Sequence, residues 1–342
     1  MAKKKVCDMC QNAKKVSVVM CTYNGGKYIR EQMDSIVNQT RTPYEVIVQD
    51  DGSEDDTVSI VKEYTEKYPY VRITKNELGK GINNNFFSAI AKASGDFIAI
   101  SDQDDIWELD KIEVMSEAIG DKMMCVGRSV PFYDDEENNE RITIHYDQRK
   151  PNCNLVRMMY ASMPGHCTLF RKELLEHVPS HLATRPIYTH TWYDVILGTV
   201  AAALDSIVLI DKVIAKQRRH LDAASYKDVD TKRLRSMNNG AYIVWYGIKN
   251  YHKIKPYMIK HFTVRGKFLE SIESDAKIYK DAVKIMKYER TPGVRGFLGL
   301  VRGYVKYRHV IFYTYEKDPI ALVRAILNPF MQVYNYRYLV KK

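Results

Sequence analysis

The sequence predicts an α/β fold in which a mostly parallel sheet has helices on both faces and is followed by a mainly helical region. Short apolar, β-branched runs alternate with helical stripes in the front of the chain. Each run ends in polar residues, and the last third of the chain is basic and aromatic instead. With 342 residues, of which 45% are hydrophobic, the chain is long enough for one α/β domain and a smaller part.

The first predicted strand lies within Lys14–Tyr23, where VSVVM is an apolar, β-branched run of the kind found in buried strands. The helix predicted after it, Tyr28–Gln39, has apolar residues at the spacing i, i+4, i+7, i+8. Further strands are predicted at Tyr44–Val48, Val71–Thr74 and Asp96–Ile100, and further helices at Thr57–Tyr68 and Asn85–Ala93. Strands and helices that alternate in this way form mostly parallel sheets.

Polar residues follow each of the four predicted strands. They are Thr22-Tyr23-Asn24, Asp50-Asp51, Asn76 and Asp102-Gln103-Asp104-Asp105. Because ligands of open parallel sheets bind beyond the carboxyl ends of the strands, we expect these residues to form one site. The turn after the second strand also predicts a helix start, since Ser53 and Asp56 match a capping pattern.

The stretch Ser101–Trp107, SDQDDIW, places three carboxylates within four residues. Such carboxylates repel one another at neutral pH unless a cation or strong hydrogen-bond donors lie close by. A hard divalent ion, Mg²⁺ or Mn²⁺, prefers oxygen ligands of this kind and can neutralise charge on a departing diphosphate. The alternative is an acidic surface turn, but the position directly after a buried strand favours a metal site.

Four segments, taken in order, resemble the family 2 glycosyltransferases of the GT-A fold. They are Val16–Asn24, QDDGSEDDT, NELGKGINNNF and GDFIAISDQDDIW. Within that family, SDQDDIW looks most like bacterial rhamnosyltransferase-type enzymes. The resemblance extends over residues 14–222.

The resemblance implies a role for each of several residues. Thr22 and Tyr23 would flank the base of a nucleotide sugar, Asp51 would accept a hydrogen bond from a pyrimidine N–H, Asn85 would lie near the nucleotide, Asp102 would face the ribose and Asp104 would bind the metal. The role of Asp105 stays open, and Trp107 is expected to pack rather than react.

The same resemblance places the catalytic base at Asp194, 17 residues before the end of a strand predicted at Ile207–Asp211. Tyr193-Asp194 stands where the family usually has His-Asp. A register slip of three residues would put Thr191 there instead. Asp194 is also a candidate helix N-cap, because VILGTVAAAL follows it.

The segment Lys216–His220, KQRRH, resembles a family segment in which Arg218 would face the diphosphate and His220 would bind the metal. The turn around His166 resembles the acceptor side of the site. The QxxRW pattern of processive synthases is missing from the sequence, which favours addition of one or a few sugars.

We expect three parts in the chain: a flexible tail at residues 1–13, a catalytic domain at 14–225 and a basic, aromatic-rich helical region at 226–342. Cys7 and Cys10 form a CxxC, which we interpret as two free thiols, with zinc or redox chemistry as the alternative. A polar, basic start and the lack of a long apolar run predict a cytoplasmic protein.

Charge divides the chain sharply. Residues 226–342 hold 24 Lys and Arg but only 9 Asp and Glu. Residues 1–225 hold 28 Lys and Arg and 33 Asp and Glu. A basic, aromatic-rich region predicts an anionic membrane surface as its partner, at the inner face of the cell membrane. The alternatives are a helical cap with a solvated basic face and an oligomer interface.

These observations predict an inverting, non-processive glycosyltransferase of cell-surface polysaccharide synthesis. The donor expected first is dTDP-rhamnose, otherwise a UDP-sugar, and the acceptor is a saccharide or a lipid-linked saccharide. A metal-dependent nucleotidyltransferase is the alternative enzyme, although Tyr23-Asn24-Gly25-Gly26 poorly matches its triphosphate loop. A basic nucleic-acid-binding protein is the non-enzymatic alternative, and the acidic front of the chain disfavours it.

Overall fold

A computed structural model of the chain describes residues 14–134, 154–160, 163–179, 192–220, 237–312 and 317–340. The predicted tail with Cys7 and Cys10 lies outside the described residues. The chain separates into two units. One comprises residues 1–153, 162–202 and 206–220, and the other comprises 154–161, 203–205 and 221–342.

The first unit is built on one eight-stranded sheet. Its strands are β1 (Val16–Thr22), β2 (Glu45–Asp50), β3 (Val71–Lys75), β4 (Phe97–Ser101), β5 (Ile106–Trp107), β6 (Met124–Phe132), β7 (Thr168–Arg171) and β8 (Ile207–Arg218). They lie in the order β3-β2-β1-β4-β7-β6-β8-β5. β7 runs antiparallel to both of its neighbours and β5 antiparallel to β8, and the other pairs are parallel.

The helices are distributed over both units. In chain order they are α1 (Ile29–Val37), α2 (Thr57–Lys67), α3 (Ile82–Ala91), α4 (Lys111–Ala118), α5 (Leu155–Met158), α6 (Tyr193–Ala203), α7 (Met237–Glu270), α8 (Lys277–Glu289), α9 (Gly293–Lys306), α10 (Arg308–Ile311) and α11 (Ile320–Asn335). Short 3₁₀ helices lie at Gly165–Cys167, Lys172–His177 and Arg337–Val340.

The core of the first unit explains why its central strands read as continuous apolar runs. β1 lies between β2 and β4, and its consecutive residues Val18, Val19 and Met20 are all fully buried, so both of its faces are covered. Met33 and Ile36 of α1 pack into the same core. The predicted α/β class with a mostly parallel sheet is therefore confirmed, and the four predicted strands and three predicted helices are all present.

The second half of the sheet was predicted less well. The sequence analysis named neither β5, β6 nor β7, and it ended β8 at Asp211, whereas that strand runs on to Arg218. β6 changes register against β8 on both sides of Arg128, which marks a bulge. A bulge interrupts the alternation on which strand prediction depends.

The second unit is helical, as predicted for the C-terminal region. Gly299 and Gly303 of α9 lie against Tyr288 and Ile285 of α8, where a β-carbon would clash. Glycine there lets the two helices approach closely. None of the helices in the described ranges combines the length and the apolar composition needed to cross a membrane.

Candidate active site

The carboxyl ends of β1 and β4 meet at the point where the strand order changes direction. β1 continues to β2 on one side, and β4 lies on its other side. The Tyr23 backbone N–H donates to Gln103 Oε1 at 2.9 Å, and Gln103 Nε2 donates to the Tyr23 carbonyl at 3.1 Å. This pair of bonds joins the two strand ends at the edge where such sheets bind ligands.

A tight turn leaves β2 at this edge. Asp50 Oδ2 accepts hydrogen bonds from the N–H groups of Gly52 and Ser53, at 2.9 and 2.8 Å. Gly52 has φ +90°, a conformation that favours glycine. The predicted cap at Ser53 is wrong, because its Oγ donates to Asp50 Oδ1 at 2.6 Å and α2 begins only at Thr57.

Asp51 and Tyr23, two of the predicted nucleotide-binding residues, stand side by side at this edge. The Asp51 carboxylate accepts from Asn76 Nδ2 at 2.7 Å and from the Gly81 N–H at 2.8 Å, which fixes its orientation. The Tyr23 ring is 49% exposed, with Lys80 Nζ 5.4 Å from its centroid. An exposed ring beside an anchored carboxylate can stack on a planar base while the carboxylate accepts one of the base's N–H groups.

Thr22 and Asn85 are buried and hydrogen-bonded inside the unit. Thr22 Oγ1 donates to Asp50 Oδ1 at 2.9 Å. Asn85 Oδ1 accepts from Gln49 Nε2 at 3.0 Å, and Asn85 Nδ2 donates to the Gln49 carbonyl at 3.3 Å. Asn85 thus holds α3 on β2 and does not join the carboxylate cluster, and its contact with a nucleotide stays a prediction.

Asp102, Asp104 and Asp105 lie in the turn after β4, which we call the acid turn. Asp104 Oδ2 is 2.9 Å from Nε2 of His220, the second residue after β8. Two ligands at neighbouring corners of an octahedron with bonds of about 2.1 Å lie about 3.0 Å apart. His220 Nδ1 is buried without a hydrogen-bond partner among the described residues. The predicted pair of metal ligands therefore fits a small divalent cation.

Arg218 is attached to the acid turn rather than open to solvent. Its backbone N–H donates to Asp105 Oδ1 at 3.1 Å, and its Nε donates to the Asp104 carbonyl at 3.0 Å. The guanidinium forms ion pairs with Glu31, at 2.7 Å, and with Asp134. In these contacts Arg218 positions the acid turn, and the contact predicted with a diphosphate stays a prediction.

His166 is a component of the site whose position sequence reasoning missed. The sequence analysis gave it as an acceptor-side candidate, which stays a prediction, and did not foresee that its Nδ1 lies 3.1 Å from Asp102 Oδ2 and 3.4 Å from Asp105 Oδ2. Its Nε2 lies 3.0 Å from Ser129 Oγ. The signal was its position just before β7, since β7 pairs with β4, the strand that ends at the acid turn.

Asp194, the predicted base, lies in the first turn of α6. Its Oδ1 accepts from the Val195 N–H at 2.7 Å. Because α6 begins at Tyr193, the alternative of Asp194 as the N-cap residue is wrong. Burial and the negative charge of Asp102 raise the pKa of Asp194 to about 6. Asp102 of the acid turn and Asp194 thus interact electrostatically. Thr191, the alternative position of the base, lies outside the described residues.

Comparison with known families agrees with this geometry. The sequence model of the glycosyl transferase family 2 matches residues 17–178. Those residues form a glycosyltransferase family 2 domain. The matched segment includes β1 to β4, the acid turn and His166, and it ends before Asp194.

Two similar sequences and one similar structure illustrate how far the similarity extends. An uncharacterized glycosyltransferase of Escherichia coli, YibD, is 38% identical over 98 residues, 28% of each chain. The dTDP-rhamnosyl transferase RfbG of Shigella flexneri is 28% identical over 185 residues, 51% of this chain and 63% of its own. The crystal structure of S. aureus TarS 1–349 in complex with UDP-GlcNAc superposes with a TM-score of 0.54 at 15% identity, over 95% of this chain and 92% of that one.

The two sequence matches therefore cover less than two thirds of each relative's own length. The TarS likeness, at this low identity, concerns the fold alone. It agrees with a GT-A fold for this chain.

The family 2 domain also has a buried lysine under the acid turn, which the sequence did not reveal. Lys111 Nζ donates to the His166 carbonyl at 2.6 Å and lies 3.6 Å from the centroid of the Trp107 ring. Burial lowers the pKa of Lys111 to about 7. Trp107 is 2% exposed and packs in the core, as expected.

Burial and mutual repulsion raise the pKa values of the acid turn. The pKa of Asp105 rises to about 7 because the side chain is buried and because Asp102 and Asp104 lie beside it. Burial and Asp102 likewise raise the pKa of Asp104. A cation bound at these carboxylates would relieve the repulsion, and in this respect too the residues fit a divalent metal.

Proposed function

We propose that this chain transfers a sugar from a nucleotide diphosphate donor to a hydroxyl group of a saccharide or lipid-linked saccharide acceptor. One observation carries the proposal: the family 2 model matches residues 17–178, and beyond that match lies a buried carboxylate, Asp194, whose pKa is raised by burial and by Asp102 of the acid turn. The donor we test first is dTDP-rhamnose, because RfbG is named a dTDP-rhamnosyl transferase. A UDP-sugar is the second choice.

The crevice between β1 and β4 is the proposed donor site. The Tyr23 ring would stack on the base and Asp51 would accept its N–H, since this carboxylate is already held by Asn76 and Gly81. Asp102, whose side chain is 38% exposed, would accept from a ribose hydroxyl. These contacts orient the donor so that its diphosphate lies toward the acid turn.

Asp194 would act as the base of an inverting displacement. Its carboxylate takes the proton of the acceptor hydroxyl as that oxygen forms a bond to the anomeric carbon. The bond from the anomeric carbon to the diphosphate oxygen breaks, and its electron pair leaves with the diphosphate. With a pKa of about 6, Asp194 is mostly ionised at neutral pH and remains a better proton acceptor than an ordinary aspartate.

Asp104 and His220 are the residues that would hold Mg²⁺ or Mn²⁺. Bound there, the cation supplies positive charge that stabilises the departing diphosphate. Asp102, Asp105 and His166 form a second group whose ligand atoms lie within 4.8 Å of one another. We favour Asp104 and His220, because the side chains of Asp105 and His166 are only 2% and 1% exposed and leave little room for phosphate oxygens.

In this proposal the enzyme adds one or a few sugars during cell-surface polysaccharide synthesis. It works in the cytoplasm, at the inner face of the cell membrane, where a lipid-linked acceptor would be reached. The support is the absence of QxxRW from the sequence and the basic charge of residues 226–342.

Asp194→Asn tests the proposed base, because it removes the proton acceptor and keeps the oxygen that accepts from Val195. Turnover should fall by roughly 10²–10⁴-fold while donor affinity changes little. Asp211→Asn is the matched control, since that side chain, on β8, is 72% exposed and pairs with Arg128 of β6. If Asp194→Asn turns over at a rate near that of the unmodified chain, the base is placed wrongly.

A further inference from the structure

Helix α7 has a face that nothing in the described structure covers. The helix runs over Met237–Glu270, 34 residues, and its residues Ile254, Met258 and Phe262 are buried inside the second unit. On its opposite side it exposes Trp245, Lys249, Lys253, Tyr257, Lys260 and Lys267. We call these six residues the lysine–aromatic face of α7.

The spacing of the six residues makes the face continuous. At about 100° per residue, they fall in a sector of about 120° around the helix axis. At about 1.5 Å per residue, the distance from Trp245 to Lys267 is about 33 Å. The face is therefore a stripe along most of the helix, rather than a local cluster.

The charge of this face is not compensated. Glu270, at the end of α7, is the helix's one acidic residue, and it pairs with Arg290. No carboxylate in the described part of the chain forms an ion pair with the four lysines of the face. By contrast, Lys280 and Lys306, on other helices of the same unit, pair with Asp275 and Asp281. The four lysines thus give this face a net positive charge along most of α7.

Exposed aromatic rings distinguish this face from an ordinary solvated basic surface. Trp245 is 54% exposed and Tyr257 47% exposed, and Lys249 Nζ lies 5.0 Å from the Trp245 ring centroid. Tryptophan and tyrosine beside lysine are typical of surfaces that rest at the headgroup level of a bilayer. Single-stranded nucleic acid is instead bound in grooves, whereas the exposed side of a helix that packs by its other face is convex.

We infer that the lysine–aromatic face of α7 binds the anionic surface of a lipid bilayer. The lysines approach anionic headgroups, and Trp245 and Tyr257 insert their rings among them. The sequence analysis predicted a membrane surface as the partner of the whole basic region. The present inference assigns the contact to one face of α7. The inference stands apart from sugar transfer, because a chain with no transferase activity would still bind the bilayer.

Vesicle binding of the full chain tests the inference. Sedimentation with phosphatidylcholine vesicles containing phosphatidylglycerol should show tight binding at low salt and weak binding at high salt, because the attraction is screened. Pure phosphatidylcholine vesicles should bind far less. Lys253→Gln/Lys260→Gln should weaken binding by about 30-fold, at about 1 kcal/mol per lysine and about 1.4 kcal/mol per tenfold.

Lys280→Gln/Lys306→Gln is the matched control, because it removes the same charge from the same unit at paired positions. It should weaken binding by less than about threefold, because these lysines lie on other helices and the attraction of a charge to the surface fades within a Debye length. The emission of Trp245 should shift to the blue on binding, and Trp245→Phe should lose that part of the shift. Far-ultraviolet circular dichroism should show that all variants remain folded.

Three outcomes would overturn the inference. The full chain could fail to bind anionic vesicles at low salt. The face variant and the control could lose binding equally, which would show a response to net charge alone. A single-stranded oligonucleotide could bind more tightly than the vesicles and depend on the same lysines, which would assign the face to nucleic acid. Donor turnover with a soluble acceptor is measured separately, so failure of this inference is distinguishable from failure of the proposed transferase function.

Discussion

Removing the charge of Glu289 should destabilise the second unit more than removing the charge of any other single side chain in that unit. Its carboxylate is 1% exposed and accepts from Lys255 Nζ at 3.0 Å and from the hydroxyl groups of Tyr160 and Tyr304, at 3.0 and 2.5 Å. Glu289→Gln keeps the shape of the side chain but leaves the buried ammonium of Lys255 without a counter-ion. Breaking one partner of a buried pair costs about 3–5 kcal/mol.

A loss of this size corresponds to a fall in melting temperature on the order of 10 °C for a unit of this length. Urea and thermal unfolding followed by far-ultraviolet circular dichroism would measure it, because the second unit is helical. Glu270→Gln is the matched control: its side chain is 43% exposed, and its pair with Arg290 should contribute less than about 1 kcal/mol.

The double variant Glu289→Gln/Lys255→Met separates charge from packing. It also removes the buried ammonium that Glu289→Gln leaves without a counter-ion, so it should recover most of the stability lost in the single variant. The reasoning fails if Glu289→Gln unfolds within about 1 kcal/mol of the unmodified chain. It also fails if the double variant is no more stable than the single one.

Two further predictions concern the candidate active site. Asp104→Ala should abolish transfer while the fold stays intact, because the cation loses a carboxylate ligand; full activity of the unmodified chain in excess chelator would contradict this. The kcat/KM of the unmodified chain should fall about tenfold for each pH unit below about 6, because the base must be ionised and the pKa of Asp194 is about 6. A rate profile that stays flat down to pH values near 5 would show that a different group accepts the proton.

Local pattern was enough to predict the first half of the sheet. β1, β2 and β4 are central parallel strands that combine a short apolar run with polar residues at the carboxyl end, and β3 is the parallel edge strand beside β2. Because strand direction is shared, those ends had to meet at one edge. The contacts around Tyr23, Asp51 and the acid turn followed from that rule and from the family resemblance.

The rest of the site depends on pairings between distant parts of the chain. His166 reaches the acid turn because β7 joins β4 antiparallel, and Arg218 reaches it because β8 continues past Asp211 alongside β6. Neither pairing leaves a periodic signal in the sequence. Lys111 was missed for a different reason: its position under the Trp107 ring, where its ammonium donates to a backbone carbonyl, is visible only after α4 has packed.

The central claim is that the polar ends of β1, β2 and β4 bind a nucleotide sugar and that Asp194 is the base of the transfer. Release of nucleoside diphosphate from a panel of nucleotide sugars, with Mg²⁺ or Mn²⁺ present, tests it most directly. We expect release from at least one donor, dTDP-rhamnose being the first to try, with stimulation by metal and loss in Asp194→Asn but not in Asp211→Asn. No release from any donor, and no binding of dTDP or UDP to the folded chain, would contradict the claim.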